Sequence, residues 1–247
     1  MTNLLILTCR RRALVESGAD PWKYLRDTIA QIVAEDAPLN VAGVVCDGSY
    51  EGGPDLPEGW TLYEFDRETC DTPTTIRGNK WAYWHLLHIG RLLGGDLIAL
   101  EDDLWFSTNA VRRMMAFPIP RDLAWVQFFS PRILVAKDSP PGLWRPPGGT
   151  SLFLQAAKYS ASGLAQLCDF KAHPLWTQWK ESDTCLATAE HELGLRYGVH
   201  SPDLVQHRGD LSEANPRDKL NPWRTSACWL GSTFDALELF RRDDVYR

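Results

Sequence analysis

Gly94-Gly95-Asp96-Leu97-Ile98-Ala99-Leu100-Glu101-Asp102-Asp103 joins an apolar run of strand length to three consecutive carboxylates. The paired glycines end the segment before it, and an uninterrupted run such as Leu97–Leu100 suits a strand buried on both faces. Three like charges at a strand end repel one another and are costly in a dry setting. A hard divalent cation, Mg²⁺ or Mn²⁺, offsets that cost because it prefers oxygen ligands and bridges carboxylates to substrate phosphates. In open α/β sheets, ligands sit beyond the carboxyl ends of the strands, where this cluster falls. An isolated Asp-Asp pair would read as a solvated turn; here the companions elsewhere in the chain decide.

Working outward, Leu4–Leu7 is a second short apolar run, followed by Arg10-Arg11-Arg12. Between Trp22 and Ala34, residues Leu25, Ile29, Ile32 and Val33 recur at helical spacing, and Pro38 ends that pattern. Val41 to Cys46 reads as a second strand running into Asp47-Gly48, and Trp60 to Phe65 as a third. Gly78-Asn79-Lys80 opens a helix through Leu93, and Ser107 or Thr108 is placed to cap another through Met115. This alternation predicts an α/β fold with a mixed, mostly parallel sheet flanked by helices.

Farther on, Leu123–Phe129, Ile133–Ala136 and Ser151–Gln155 read as strands, Ser182–Leu195 as a helix and Val199–Val205 as an extended segment. Ser139–Gly149 holds four prolines and three glycines and reads as a loop or lid. With no internal repeat and no long low-complexity stretch, residues 1–247 form a single domain.

Length and composition narrow the classes. The 247 residues are 44% hydrophobic and 23% charged, an ordinary globular balance with enough chain for a full core. No apolar run approaches the roughly 20 residues of a membrane span, and the start of the chain lacks the basic flank of a signal peptide. The six cysteines are scattered without a Cys-x-x-Cys pair, so buried, reduced thiols and a cytoplasmic location are expected. A net charge of −6 argues against tight non-specific binding of nucleic acid. The eleven tryptophans serve packing in the main, although flat rings also suit sugars and bases.

In the order of these features, over about the first 210 residues, the chain resembles the GT-A glycosyltransferases, which move a sugar from a nucleotide donor. Glu101-Asp102-Asp103 resembles their DxD-type metal motif in a Glu-Asp-Asp form. The resemblance implies Asp103 as a direct ligand of Mn²⁺ or Mg²⁺, with Glu101 and Asp102 facing the nucleotide or supporting the site. Pro147-Gly148-Gly149-Thr150 resembles the glycine-rich loop beside the donor sugar and acceptor, implicating Gly148 and Gly149. Glu181-Ser182-Asp183 is similar to the acidic motif at the start of a helix whose last carboxylate is the base in inverting members. That implies Asp183, or Glu181 itself, as the base; Ser182 and Asp183 are equally ordinary helix caps. Asp203-Leu204-Val205-Gln206-His207 resembles the C-terminal segment in which a histidine completes the metal shell or meets the phosphates.

Asp47 matches the position that contacts the base or ribose of the donor. Arg10, Arg11, Arg77 and Lys80 are candidates for the nucleotide or pyrophosphate, because guanidinium forks and helix starts suit phosphate oxygens. The resemblance implies a nucleotide-sugar donor, most simply a UDP-sugar, bound by a donor half at 1–106. An acceptor half with the C-terminal metal and phosphate segment would occupy 107–247. The acceptor class stays open among glycan, lipid, protein, small molecule and modified DNA base.

Two other readings use the same features. A sugar-phosphate nucleotidyltransferase would share the fold but carries a Gly-rich basic loop after its first strand, and Thr8-Cys9-Arg10-Arg11-Arg12 has no glycine. A non-catalytic carbohydrate-binding protein would account for the tryptophans but not for the ordered acidic and histidine motifs. The sequence has no Gly-x-Gly-x-x-Gly after the first strand, no Walker A lysine motif and no Gly-x-Ser-x-Gly elbow. His191-Glu192 lacks the second histidine of a zinc protease helix.

Overall fold

A computed structural model of the chain describes residues 1–9, 12–47, 53–65, 75–130, 141–146, 155–178, 182–208, 226 and 228–238. The chain begins with β1 (Thr2–Thr8), α1 (Arg12–Glu16), α2 (Lys23–Ala34), β2 (Ala42–Asp47), β3 (Thr61–Phe65) and α3 (Thr75–Leu93). It continues with β4 (Asp96–Glu101), β5 (Leu104–Phe106), α4 (Ala110–Ala116), β6 (Trp125–Gln127) and β7 (Gly142–Trp144). Next come β8 (Ala156–Tyr159), α5 (Ala161–Asp169), the 3₁₀ turns Phe170–Ala172 and Pro174–Gln178, α6 (Ser182–Leu193), β9 (Tyr197–Ser201) and β10 (Val205–His207).

Among the described residues, eight strands form one sheet in the order β3-β2-β1-β4-β8-β6-β9-β7. The first four run parallel, β8 lies antiparallel between β4 and β6, β9 runs parallel to β6, and β7 closes the edge antiparallel to β9. The expected mixed, mostly parallel sheet in a single α/β domain is what forms. Because side chains alternate across a strand, β1 sends Leu5 and Leu7 to one layer and Leu4 and Ile6 to the other. The first layer packs under α3, α5 and α6, and the second under α2 and α4. Leu4, Leu5 and Ile6 are fully buried, each contributing about 1.5–3 kcal/mol relative to exposure.

The entry to β4 depends on its glycines. Gly94 and Gly95 both have left-handed backbone, at φ +71° and +74°. A Cβ on Gly95 would lie 2.4 Å from the Met1 carbonyl oxygen, the group that accepts the Asp96 amide at 3.1 Å. Only glycine fits that approach.

Several local expectations differ from the fold. Neither Ser107 nor Thr108 caps α4. Their hydroxyls instead donate to the carbonyls of Gly231 and Ser232, at 3.1 and 2.9 Å, and so hold the C-terminal strap. The first turn of α4 is served by Glu35 at the end of α2, which accepts the Arg112 amide at 3.1 Å. Burial raises the Glu35 carboxyl to about 7, against the backbone amides of Arg112, Val111 and Ala110, which pull it down. Part of the expected lid, Gly142–Trp144, is the paired edge strand β7, while residues 139–140 and 147–149 lie outside the described residues. The expected strand at Ile133–Ala136 also lies outside them, and so does Ser151–Leu154. Cys46, Cys185 and Cys228 are buried, but Cys9 and Cys168 are only half-buried. Among the described residues no helix is long and apolar enough to cross a membrane.

Candidate metal centre

The carboxyl ends of β1 and β4 meet where the chain order reverses, since β2 and β3 extend the sheet one way from β1 and β4 extends it the other. That crevice is where ligands of open α/β sheets bind. Glu101, last in β4, lies opposite Leu7 of β1, and the chain then turns sharply through Asp102 and Asp103 into β5. Two hydroxyls hold this turn. Thr8 Oγ1 donates to Asp102 Oδ2 at 2.6 Å, and Thr28 Oγ1 donates to the Asp102 carbonyl at 2.7 Å. The outer edge of β5 is served by Gln31, whose amide nitrogen donates to the Leu104 carbonyl at 3.3 Å and whose oxygen accepts the Phe106 amide at 3.2 Å. Polar residues on α2 therefore do for β5 what a further strand would do.

The other edge of β5 pairs antiparallel with β10, His207 opposite Leu104, and the Arg208 amide extends the ladder to the Asp103 carbonyl at 3.0 Å. This pairing carries the imidazole to the acidic turn. His207 Nε2 lies 3.3 Å from Asp103 Oδ2 and 3.9 Å from Glu101 Oε2. One ligand atom from each of Glu101, Asp103 and His207 falls within 4.8 Å of the others. Asp103 and His207 are buried and Glu101 is half-buried. Two carboxylates and an imidazole on one side of a crevice match the donor set of Mn²⁺, with Mg²⁺ favoured less by the nitrogen.

The strand bearing His207 is anchored from behind by Asp203. This fully buried carboxyl accepts from the Ser130 amide and hydroxyl, each at 3.0 Å, and from the Ser226 hydroxyl. Burial raises it to about 7, while the bonds from Ser226 and Ser130 pull the other way. Gln206 Oε1 accepts the Ser226 amide at 3.0 Å, tying the strap to β10 a second time. Beside the cluster, Arg208 pairs with Asp27 at 2.6 Å and lies 5.6 Å from the ring of Trp105.

Of the residues singled out in the sequence, Glu101, Asp103 and His207 come together. Asp102 faces inward to Thr8 rather than joining that triad. Asp183 sits in the first turn of α6 and accepts from Ser182 Oγ at 3.0 Å. Its charge and that of Glu101 both reach the Tyr83 hydroxyl, which burial first, and then Tyr159, hold well above the ordinary phenol range. Tyr83 and Tyr159 share a 2.5 Å hydrogen bond in the buried layer under α3.

Lys80 is buried, donating to the Trp176 carbonyl at 3.0 Å with its ammonium 4.4 Å from that indole. Asp47 ends β2 and Arg77 lies in the first turn of α3, their side chains outside the described residues. Arg10, Arg11, Gly148, Gly149 and Glu181 also lie outside them. Sequence reasoning assigns no role to Thr8 or Thr28 and names Asp203 only as the start of the segment that ends in His207. Thr8 closes an apolar run, and Thr28 lies on the buried face of α2 between Leu25 and Ile32, so both read as packing positions.

No protein-family model matches the sequence, and no curated protein matches it. Likeness is found among solved structures. CTP:phosphocholine cytidylyltransferase from Streptococcus pneumoniae aligns over 90% of this chain and 96% of its own, at 12% identity and a TM-score of 0.50. The inositol-1-phosphate CTP transferase from T. maritima aligns over 86% and 92%, at 12% identity and a TM-score of 0.52. A galactosyltransferase, LgtC, in complex with donor and acceptor sugar analogues, aligns over 80% and 73%, at 9% identity and a TM-score of 0.49. At such identities the first two bear on the fold alone, a mixed, mostly parallel α/β sheet flanked by helices.

Proposed function

We propose that this protein is a divalent-metal-dependent glycosyltransferase that inverts the configuration of the sugar it moves from a nucleotide-sugar donor, most simply a UDP-sugar. The observation that carries this reading is the delivery of His207 onto Asp103 and Glu101 at the switch point between β1 and β4. The family that the chain resembles uses an acidic motif and a C-terminal histidine in those two places.

Glu101, Asp103 and His207 would hold Mn²⁺ or Mg²⁺, which when bound supplies positive charge against a leaving nucleoside diphosphate. Asp102 does not join them; through Thr8 it fixes the turn that presents its neighbours. Arg208, paired with Asp27, adds a guanidinium fork at the end of β10. Asp183, at a helix start where the dipole favours a carboxylate, takes the proton of the acceptor hydroxyl. The hydroxyl oxygen forms its bond to the anomeric carbon as the bond to the diphosphate breaks, and the electron pair leaves with the nucleoside diphosphate. In this reading β1 to β4 serve the donor, and the segments after residue 107 shape the acceptor side.

Nucleotidyl transfer is the second reading, because the two structures of TM-score 0.50 and 0.52 are named as CTP-dependent transferases on this fold. One assay separates them. The protein is incubated with Mn²⁺ and a panel of UDP- and GDP-sugars, and in parallel with CTP or UTP and a panel of sugar and alcohol phosphates. Release of nucleoside diphosphate, abolished in Asp103→Ala, supports glycosyl transfer. Release of pyrophosphate supports the second reading, and neither product from a folded, metal-loaded protein overturns both.

A further inference from the structure

Apart from the metal centre, the outer flank of α3 bears a cleft of about 460 Å³, within the range of ligand pockets. Trp81, Trp84, His85, His88 and Arg91 line it from α3, and Lys171 faces them from the 3₁₀ turn after α5. Their spacing of three and four residues puts the five helical positions on one stripe. Such a stripe is normally covered by a neighbouring element or made polar throughout. Among the described residues this one is neither: Trp84 is buried against Trp176, with ring centroids 4.6 Å apart, whereas His88, Arg91 and Lys171 are exposed. None of its residues belongs to the cluster of Glu101, Asp103 and His207.

The cleft has a consistent sign. In a chain of net charge −6, the side chains that line the cleft include four basic ones, His85, His88, Arg91 and Lys171, and no carboxylate. Among the described residues, the carboxylate bonded to this lining is Asp169 of α5, which accepts from a single arm of the Arg91 fork at 2.6 Å. Lys171 Nζ stands 4.7 Å from the Trp81 ring, so a cation and an aromatic wall form one corner. Phe65 closes the opposite corner, its ring 5.6 Å from that of His85. His85 is held below its ordinary value by burial, then by the charges of His88 and Lys171, as expected where positive charge accumulates. Cys168 also lines the cleft, its thiol raised by burial.

We propose that this cleft binds a small organic phosphate monoester that carries an aromatic or sugar ring able to lie against an indole face. A phosphate monoester near pH 7 has close to two negative charges and three acceptor oxygens. That demand matches one guanidinium, one ammonium and two imidazoles, whereas a lone carboxylate is satisfied by a single guanidinium fork. Tryptophan and phenylalanine walls give the ring apolar, edge-rich contact at small entropic cost. The site is independent of the metal-centre reading and of any donor nucleotide.

Phenyl phosphate is the probe, titrated into the full chain without metal while the ring resonances of His85 and His88 are followed by NMR. Both sets of signals should shift saturably, and the His85 titration midpoint should rise in the complex. Arg91→Gln and Lys171→Gln, both at exposed positions, should each weaken binding about fivefold or more. Trp81→Leu should remove the preference for phenyl phosphate over inorganic phosphate. Asp103→Ala should bind the probe as the unaltered protein does, so failure of the metal centre and failure of this cleft read out separately. Shifts that do not saturate, or that persist in the Arg91→Gln, Lys171→Gln double variant, overturn the site. Equal affinity for inorganic phosphate overturns the ring-bearing ligand.

Discussion

Thr8→Val isolates the bond that links the first strand to the acidic turn. Valine has nearly the shape of threonine, so the change opens no cavity and removes only the hydroxyl. Thr8 is 4% exposed and Asp102 is 5% exposed, so water cannot readily replace the lost donor. A hydrogen bond to a carboxylate contributes about 1.5–3 kcal/mol, against about 1 for a neutral pair. For a domain of this size, each kcal/mol corresponds to about 2–4 °C, so the melting temperature should fall by roughly 3–12 °C. Thr8→Ser keeps the hydroxyl and should lose markedly less. In an Asp102→Asn background the cost of Thr8→Val should fall toward the neutral value, leaving a coupling of about 1 kcal/mol. The same bond sets the position of Asp103, so calorimetric titration should show Mn²⁺ affinity reduced by about 10–100-fold, the range for residues that orient ligands. A Thr8→Val protein with unaltered melting temperature and unaltered Mn²⁺ affinity would refute the idea that Asp102 works by fixing the turn.

Three further outcomes are expected. Asp103→Ala and His207→Ala should weaken Mn²⁺ binding by more than Thr8→Val does, since each removes a donor of the cluster; titration of the folded variants checks the order. Asp183→Asn should lower turnover by about 10²–10⁴-fold with Mn²⁺ binding retained, and product NMR should show an inverted anomeric centre; retention removes Asp183 from the role of base. Asp203, raised from 3.8 to about 7, holds its proton more tightly in the folded chain, so its contribution is full below pH 3.8 and is lost as pH rises through about 7. The stability margin of the unaltered protein over Asp203→Asn should therefore shrink between pH 4.5 and pH 8 in urea titrations. His200, lowered to about 3 by burial, changes with pH in the opposite sense but is common to both proteins and cancels. A margin that widens with pH contradicts the assignment.

In the half of the sheet from β1 to β4, β1 and β4 are legible because buried parallel strands are continuous apolar runs, the edge strand β3 because apolar and polar residues alternate in it, and α2 because its buried residues keep helical spacing. The other half is legible only in part: the strand expected at Leu123–Phe129 contains β6 and the extended segment expected at Val199–Val205 overlaps β9, but β8 is not legible, and its sequence gives the reason. Ala156-Ala157-Lys158-Tyr159 has neither alternation nor a β-branched run, yet it is a central strand with every residue buried. What makes Lys158 acceptable there is a distant helix end. Its ammonium donates to the Met115 and Phe117 carbonyls at 2.8 and 2.9 Å, the unsatisfied groups at the end of α4. Burial still lowers its ordinary value, opposed by Asp96. No local pattern announces a lysine that is satisfied by another element. By contrast, α5 did carry a readable signal: Ser160 accepts the Gly163 amide at 3.1 Å, and Leu164 and Leu167 follow at helical spacing.

The same distinction governs the site. Three carboxylates after an apolar run are a local feature, so the acidic turn can be read without knowing the fold. Which of the three face a cation cannot, because that depends on where Thr8 and Thr28 stand, and both come from other elements. His207 is legible only as a histidine after an extended segment; its meeting with Asp103 depends on β10 pairing with β5 in one register. A slip of one residue would turn that imidazole to the other face of the two-stranded ribbon. The register is held by the Arg208 amide, which continues the ladder to the Asp103 carbonyl, and by two contacts to other segments, Asp203 with Ser130 and Gln206 with Ser226. The metal donors are thus set by a network whose members titrate, pack and pair far from the motif, and perturbing Asp203 should reach His207 without touching any donor atom.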